Sequence, residues 1–355
     1  MSVSKKDFPN STMVLLLLLL YSRLYIKKGY SIIINTYFTI IKDKLTAMFF
    51  FSLPQVVLFL VSIVASCSAH GVNFQPSYYN GGNVTFGYDL MHKYPKITSI
   101  RIEIEPGVDI SQAWEWIRQA SEEGYDLIAT YHMYGVMGKD DCPLGNDNVT
   151  CLLNAADWWV SNYDYLKQAG DFKINLSNEW GSHRQTAESF SSAYNQAIRI
   201  VRTVYPSGTI VIDVPGFGQE TTVAAKASIL LTDTNLTLSA HIYPLGRNQA
   251  SQRWLSGIDM KELADTGRPC IIGEFGVRGY EGQCDVRNVI NSAKALGFEV
   301  FAWAWNGDGD DLNMVSPSWN VCAQESDNST AMEECFATET YIESDVYFSE
   351  MISLL

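Results

Sequence analysis

Ile97-Thr98-Ser99-Ile100-Arg101-Ile102-Glu103-Ile104 is the run of residues whose reading decides the fold. On a strand, side chains alternate between faces, so Ile100, Ile102 and Ile104 share one side while Arg101 and Glu103 share the other. The isoleucine side suits a covering helix, which leaves the two charged groups pointing into the interior of the sheet. Further strand candidates lie at roughly 70–75, 126–134, 172–179, 208–214, 236–243, 269–275 and 298–305. Between them run helical patterns such as 152–168, with Leu152, Ala155, Ala156, Trp159, Tyr163 and Leu166 on one stripe. Another is 187–204, with Phe190, Tyr194, Ala197, Ile198, Val201 and Val204 at helical spacing. Eight strands, each followed by a helix, are the count of an α/β (β/α)8 TIM barrel, expected as a single domain over 70–355. An open doubly wound sheet is the rival, but it usually opens on a Gly-rich turn and no GxGxxG is present.

The rest of the composition narrows the function. With 355 residues, 47% hydrophobic and 18% charged, the chain is neither disordered nor fibrous. Residues 1–69 hold 7 basic and 2 acidic side chains, which leaves 18 against 37 over 70–355, a net −19. Such an acidic body repels phosphate backbones and anionic lipid, so nucleic acid and membrane are poor partners and a neutral ligand is expected, bound by a monomer. From Met48 to Val64 the chain is uncharged and apolar, and it then reaches Cys67-Ser68-Ala69. Residues 48–69 therefore read as a secretory signal peptide and 1–47 as an upstream extension outside the fold, with a secreted, extracellular product. Six cysteines remain, in three close pairs: Cys142 and Cys151, Cys270 and Cys284, Cys322 and Cys335. Six cysteines allow 15 connectivities, and pairing between neighbours is the expectation. No CxxC spacing or adjacent histidine suggests a metal. Sequons at Asn83, Asn148, Asn235 and Asn328 suit a glycoprotein, and a fifth at Asn175 falls inside a strand, where it would go unused.

Two carboxylates stand out for chemistry. Glu179, in Asn178-Glu179-Trp180, and Glu274, in Ile271-Ile272-Gly273-Glu274-Phe275-Gly276, end the fourth and seventh apolar strands. Barrel enzymes keep their chemistry at the C-terminal mouth, and strands four and seven face each other obliquely there. A carboxylate pair about 5–5.5 Å apart suits glycoside hydrolysis with retention, one group serving as acid/base and the other as nucleophile. On the same rim parity places Arg101, His132, His241 and Tyr243, while Phe301, Trp303 and Trp305 share one face of the last strand.

With these residues in place the chain resembles the family 5 glycoside hydrolases, whose barrel carries an Asn-Glu acid/base on strand four and a nucleophilic Glu on strand seven. The resemblance implies Glu179 as acid/base and Glu274 as nucleophile. It further implies Arg101 and Tyr243 holding Glu274, Asn178 on the sugar 2-hydroxyl, His132 and His241 bonding hydroxyls or tuning Glu179, and Trp303 as a sugar platform. Within the family the chain is most similar to bacterial-type endo-β-1,4-mannanases, in Gly138–Asp141, Ala155–Trp159, Asn178–Trp180, Ile210–Asp213, Gly216–Gln219, Ile271–Gly276 and Ala302–Trp305. Trp180, where cellulases of the family more often have Pro, favours mannan. Trp180 and Trp305 join the substrate-binding candidates.

The departures lie in the first strand, which has Phe74 and Pro76, in the loop around Cys142–Cys151, and in the acidic Asn306-Gly307-Asp308-Gly309-Asp310-Asp311. That loop lacks EF-hand spacing and reads as solvated. The expectation is a secreted, retaining endo-β-1,4-mannanase acting on mannan, glucomannan or galactomannan, with no cofactor and no metal. The alternatives are an endo-β-1,4-glucanase of the same family and a catalytically silent glycan-binding protein.

Overall fold

Eight parallel strands close on themselves with sequence neighbours as spatial neighbours: β1 (His70–Phe74), β2 (Ile97–Ile104), β3 (Asp126–Tyr131), β4 (Lys173–Asn175), β5 (Ile210–Asp213), β6 (Leu236–Ile242), β7 (Cys270–Phe275) and β8 (Glu299–Asn306). The structure is a computed structural model, and it describes residues 70–79, 84–133, 147–279, 281–309, 312–319 and 340–355. The extension, the signal segment, Cys142, Cys322, Cys335, Asn83, Asn328, Asp310 and Asp311 lie outside the described residues. Among the described residues a helix follows each strand from β2 onward, α1 (Ile110–Glu122), α2 (Val149–Leu166), α3 (Ala187–Val201), α4 (Thr221–Ala227), α5 (Gly257–Ala264), α6 (Val286–Ala295) and α7 (Val346–Leu354), with a short turn of helix, Pro215–Gly218, ahead of α4. Between β1 and β2 the described residues hold the short helix Tyr88–Met91. This is the (β/α)8 barrel, and the strands fall in the expected stretches, β4 being shorter than its 172–179. The last helix, α7, is started by Asp345 and begins at Val346.

Local chemistry starts most of the helices. Asp109, Asn148, Thr186, Ser256, Asp285 and Asp345 each accept a backbone N–H at the first turn, satisfying donors that the helix itself leaves open. On α3 the apolar stripe Phe190, Tyr194, Ala197, Ile198 and Val201 is buried against the barrel. Each large member of the stripe contributes about 1.5–3 kcal/mol by leaving water.

The barrel interior is layered. Toward the N-terminal ends of the strands, Ile128, Val211, Ile271 and Phe301 form a separate apolar cluster. Gly71 leaves room for it, since a Cβ there would lie 2.3 Å from the Phe301 ring. Above this floor the inward residues are polar: Asn73, Arg101, Glu103, Thr130, Asn175, Asp213, Ser239 and His241, all buried.

Neighbour pairing fails for one cysteine pair. Cys270 and Cys284 are both free and buried. Cys270 opens β7 at the floor of the barrel, whereas the Cys284 N–H donates to the Pro244 carbonyl, just past the top of β6. A six-residue strand at about 3.3 Å per residue stands between them, far beyond the roughly 4.4–6.8 Å Cα separation that a disulfide spans. Cys151 is disulfide-bonded. Asn175 lies fully buried inside the barrel, Asn148 caps α2, and Asn235 is exposed.

Candidate active site

Arg101 organises the mouth from below. Its guanidinium is fully buried, and its Nε donates to Asn175 Oδ1 at 3.1 Å. Nη2 donates to Asn178 Oδ1 at 2.6 Å and lies 3.6 Å from Asp213 Oδ2. Nη1 lies within reach of three acceptors: Glu274 Oε1 at 2.9 Å, Glu103 Oε1 at 2.7 Å and Asn73 Oδ1 at 2.9 Å. Burial opposes its charge, but Glu103, Glu274 and Asp213 outweigh that and hold it protonated.

Glu274 reaches the interior because β7 breaks its alternation. Ser239 pairs with Ile271 and Ala240 with Ile272, but His241 then pairs with Glu274, so Gly273 is skipped. The ladder to β8 shifts at the same place. Strict parity with the inward Ile271 would turn Glu274 outward; the bulge turns it in. Glycine is required, because a Cβ at Gly273 would lie 2.2 Å from Ser239 Oγ. Tyr243 donates to Glu274 Oε2 at 2.8 Å. Burial alone would raise the Glu274 carboxyl, yet the charges of His241 and Arg101 and the Tyr243 hydrogen bond hold it below the usual range.

Glu179 arrives by a different device. β4 ends at Asn175, short of the expected 179, and Glu179 adopts the left-handed φ of 48°. Its N–H donates to Asp213 Oδ2 at 3.0 Å, and Asn178 N–H donates to the Tyr131 carbonyl at 2.8 Å. The turn brings two adjacent residues, Asn178 and Glu179, to one side. His241 Nδ1 lies 2.7 Å from Glu179 Oε1. Burial raises the Glu179 carboxyl, and the neighbouring Glu274 and Asp213 charges add to this against the opposing His241. Asp213 goes the other way: burial is outweighed by His241, Arg101 and the Glu179 N–H, which hold it at about 2.

Oxygens of Glu179 and Glu274 and a ring nitrogen of His241 all lie within 4.8 Å of one another. The guanidinium on Glu274 already supplies fixed positive charge there, so the trio reads as a hydrogen-bonded set rather than a cation cage. The arrangement can deliver a proton from one carboxyl while presenting the other as an ionised oxygen nucleophile.

The remaining candidates divide. Trp303 lies at the mouth with its Nε1 donating to Asp308 Oδ1 at 2.9 Å, which ties one aspartate of the acidic loop into the site. Trp305 does not share that face. The Trp303–Ala304 bond is cis, and Trp305 is 0% exposed in the outer layer, donating to the Phe86 carbonyl at 2.7 Å and packing on Phe348. Trp180 is likewise core. It is 1% exposed, packs on Tyr194 and Phe190 of α3, and donates to the Asn148 carbonyl at 3.2 Å. As substrate contacts both are corrected: each is held in the packed outer layer by a hydrogen bond to a backbone carbonyl and by aromatic side chains of the covering helices. His132 sits away from Glu179, with Nε2 3.4 Å from Glu103 Oε2 and Nδ1 against Glu105. Burial works against its charge, but Glu103 and Glu105 raise it to about 9.

Residues that sequence reasoning left out of the site are Asn73, Glu103, Asn175, Asp213 and Asp308. Parity alone points Asn73, Glu103 and Asp213 inward; what it lacks is a reason to single them out before Arg101 and Glu179 are placed.

A family model described as cellulase (glycosyl hydrolase family 5) matches residues 109–309. The chain is 27% identical over 229 residues to "Beta-mannanase/endoglucanase A" of Caldicellulosiruptor saccharolyticus, covering 60% of this chain and 17% of that protein. It is 25% identical over 191 residues to "Mannan endo-1,4-beta-mannosidase" of Cellvibrio japonicus, covering 52% of this chain and 43% of the relative. The chain therefore spans less than half the length of either relative. Among solved structures, a beta-mannanase from Streptomyces thermolilacinus aligns with a TM-score of 0.58 at 22% identity, over 69% of this chain and 82% of that one, which shows the shared barrel.

Proposed function

The chain belongs to glycosyl hydrolase family 5, and from that premise we propose that it is a secreted, retaining endo-β-1,4-mannanase. The observation that carries the reading is the pair of buried carboxyls, Glu179 and Glu274, with oxygens within 4.8 Å and opposite protonation preferences. Inverting enzymes hold their carboxyls about 6.5–9.5 Å apart to admit a water, and retaining ones about 5–5.5 Å.

In the first step a Glu274 oxygen bonds to the anomeric carbon as the glycosidic C–O bond breaks, and Glu179 gives its proton to the departing oxygen. In the second, Glu179 takes a proton from water, whose oxygen displaces Glu274 from the same carbon. Arg101 and Tyr243 orient the Glu274 carboxylate and stabilise it as it departs. Asn178 and Trp303 are assigned to the sugar hydroxyl and ring. Activity should follow a bell in pH, its acid limb set by ionisation of Glu274 and its alkaline limb by loss of the Glu179 proton.

Mannan as the substrate rests on the names of the relatives. One of those names also carries endoglucanase, which is why a β-1,4-glucan is the second reading. The deciding experiment measures reducing ends released from glucomannan, galactomannan, carboxymethylcellulose and mixed-linkage glucan, with Glu274→Ala as control. Release from both mannans that the control abolishes supports the proposal. Release from the glucans alone replaces it with the second reading, and silence from folded protein overturns both. Secretion is supported by the apolar run from Met48 and by the disulfide at Cys151, and N-terminal sequencing of the exported protein tests it.

A further inference from the structure

Arg101 faces more acceptors than it has hydrogens to give. Nε donates to Asn175 and Nη2 to Asn178 with Asp213 3.6 Å away, which leaves the two hydrogens of Nη1 for Glu274, Glu103 and Asn73. Asn73 cannot yield. Its Nδ2 donates to the Gly273 and Ala302 carbonyls, which fixes its Oδ1 toward Arg101. Competition therefore falls between two carboxyls, Glu274 and the fully buried Glu103. Only a proton can settle it, because a protonated carboxyl no longer needs the guanidinium and becomes a donor itself.

We propose that Glu103 is a positioning residue of the reaction: while it holds a proton it leaves Arg101 to Glu274, and once ionised it takes that hydrogen bond away and misaligns the nucleophile. The inference rests on the reading of Glu274 as nucleophile. The groups around Glu103 form a wired shell. Gln75 Nε2 donates to its Oε2 at 2.8 Å, and His132 Nε2 lies 3.4 Å from the same oxygen. Behind His132 stand Glu105 and Tyr78, whose hydroxyl lies 3.0 Å from His132 Nδ1 and donates to Glu105 at 2.7 Å. Arg101 and Glu274 close the other side, with Asp213 and His241 beyond them. Burial pushes the Glu103 carboxyl up to about 7 against the pull of His132 and Arg101, so the exchange falls in an accessible pH range. His132, at about 9, and Asp213, at about 2, keep their charges through the same window.

The test must not read the Glu179 proton. A 2,4-dinitrophenyl β-glycoside of the disaccharide chosen by the polysaccharide panel has a leaving group that needs no proton, so kcat/KM reports the attack of the nucleophile alone. For the wild type, kcat/KM on this substrate should fall about 10- to 100-fold as pH rises through the neutral range, a 1 Å misplacement of a reacting group costing about 10²-fold. Glu103→Gln cannot ionise and should hold a flat profile over the same range. Gln75→Met removes a donor that favours the carboxylate, so its fall should move to higher pH. A flat wild-type profile, a fall that persists in Glu103→Gln, or a Gln75→Met profile superimposed on the wild type would each overturn the proposal. Glu274→Ala with added azide separates the two readings. Formation of the α-glycosyl azide, inverted at the anomeric carbon, keeps Glu274 as nucleophile whatever Glu103 does, and a β-azide or no azide removes the assignment on which this inference stands.

Discussion

The two ends of the barrel interior are built from the same strands yet obey different rules. At the floor, Ile128, Val211, Ile271 and Phe301 interlock as an apolar cluster that needs only volume and strict alternation. At the mouth, Arg101, Glu103, Glu179, Asp213, His241 and Glu274 are buried charged or titratable groups that must each find partners. Among the described residues alternation is also broken there at the bulge around Gly273, at the left-handed turn of Glu179, and between Trp303 and Trp305. The floor is a stability element, and the mouth gives up regularity to aim side chains.

Substitutions at the two ends should separate activity from stability. The largest effect is expected at the mouth. Glu274→Ala should cost at least about 10⁴-fold in kcat on polysaccharide, and Glu179→Gln about 10²–10⁴-fold, with thermal unfolding close to wild type. Unfolding in urea measured beside the kinetics would break the contrast if either variant lost activity only by losing the fold. Next comes the floor. Phe301→Ala leaves a cavity among Ile128, Val211 and Ile271 and should cost about 3–5 kcal/mol of stability, with KM unmoved. A raised KM in folded protein would mean that the floor reaches the site.

Trp180→Phe sharpens the boundary between core and site. It removes the hydrogen bond to the Asn148 carbonyl, worth about 1 kcal/mol, and should leave KM on each polysaccharide unchanged. Trp303→Phe, which loses Asp308, should raise KM instead. The smallest effect concerns a cysteine at each end. Alkylation of the unfolded, unreduced protein should label Cys270 and Cys284, and a bridge between them would contradict their placement at opposite ends of β7.

Much of this was legible from residue order. The strand alternation in 97–104 places Arg101 and Glu103 inside, the helical stripe of 187–204 becomes the buried face of α3, and Glu274 falls at the end of its strand, whereas Glu179 lies four residues beyond the end of β4. Parity misplaced Trp305, and motif likeness misplaced Trp180, because both lie where the chain turns at the end of a strand. Neighbour pairing failed for Cys270 and Cys284 because 13 intervening residues say nothing about the strand that separates their ends.

By itself, then, the sequence determined the barrel, its register of inside and outside, and the residue types gathered at the mouth, because those follow from a side-chain period of two and from apolar burial. Only the tertiary structure decided which carboxyl meets which base. His241 goes to Glu179, His132 goes to Glu103, and Arg101 is shared among acceptors from four other strands or their ends. The physical reason is that protonation in a buried cluster depends on distances of a few ångströms between groups far apart in the chain, and those distances are set by bulges and turns that alternation does not encode.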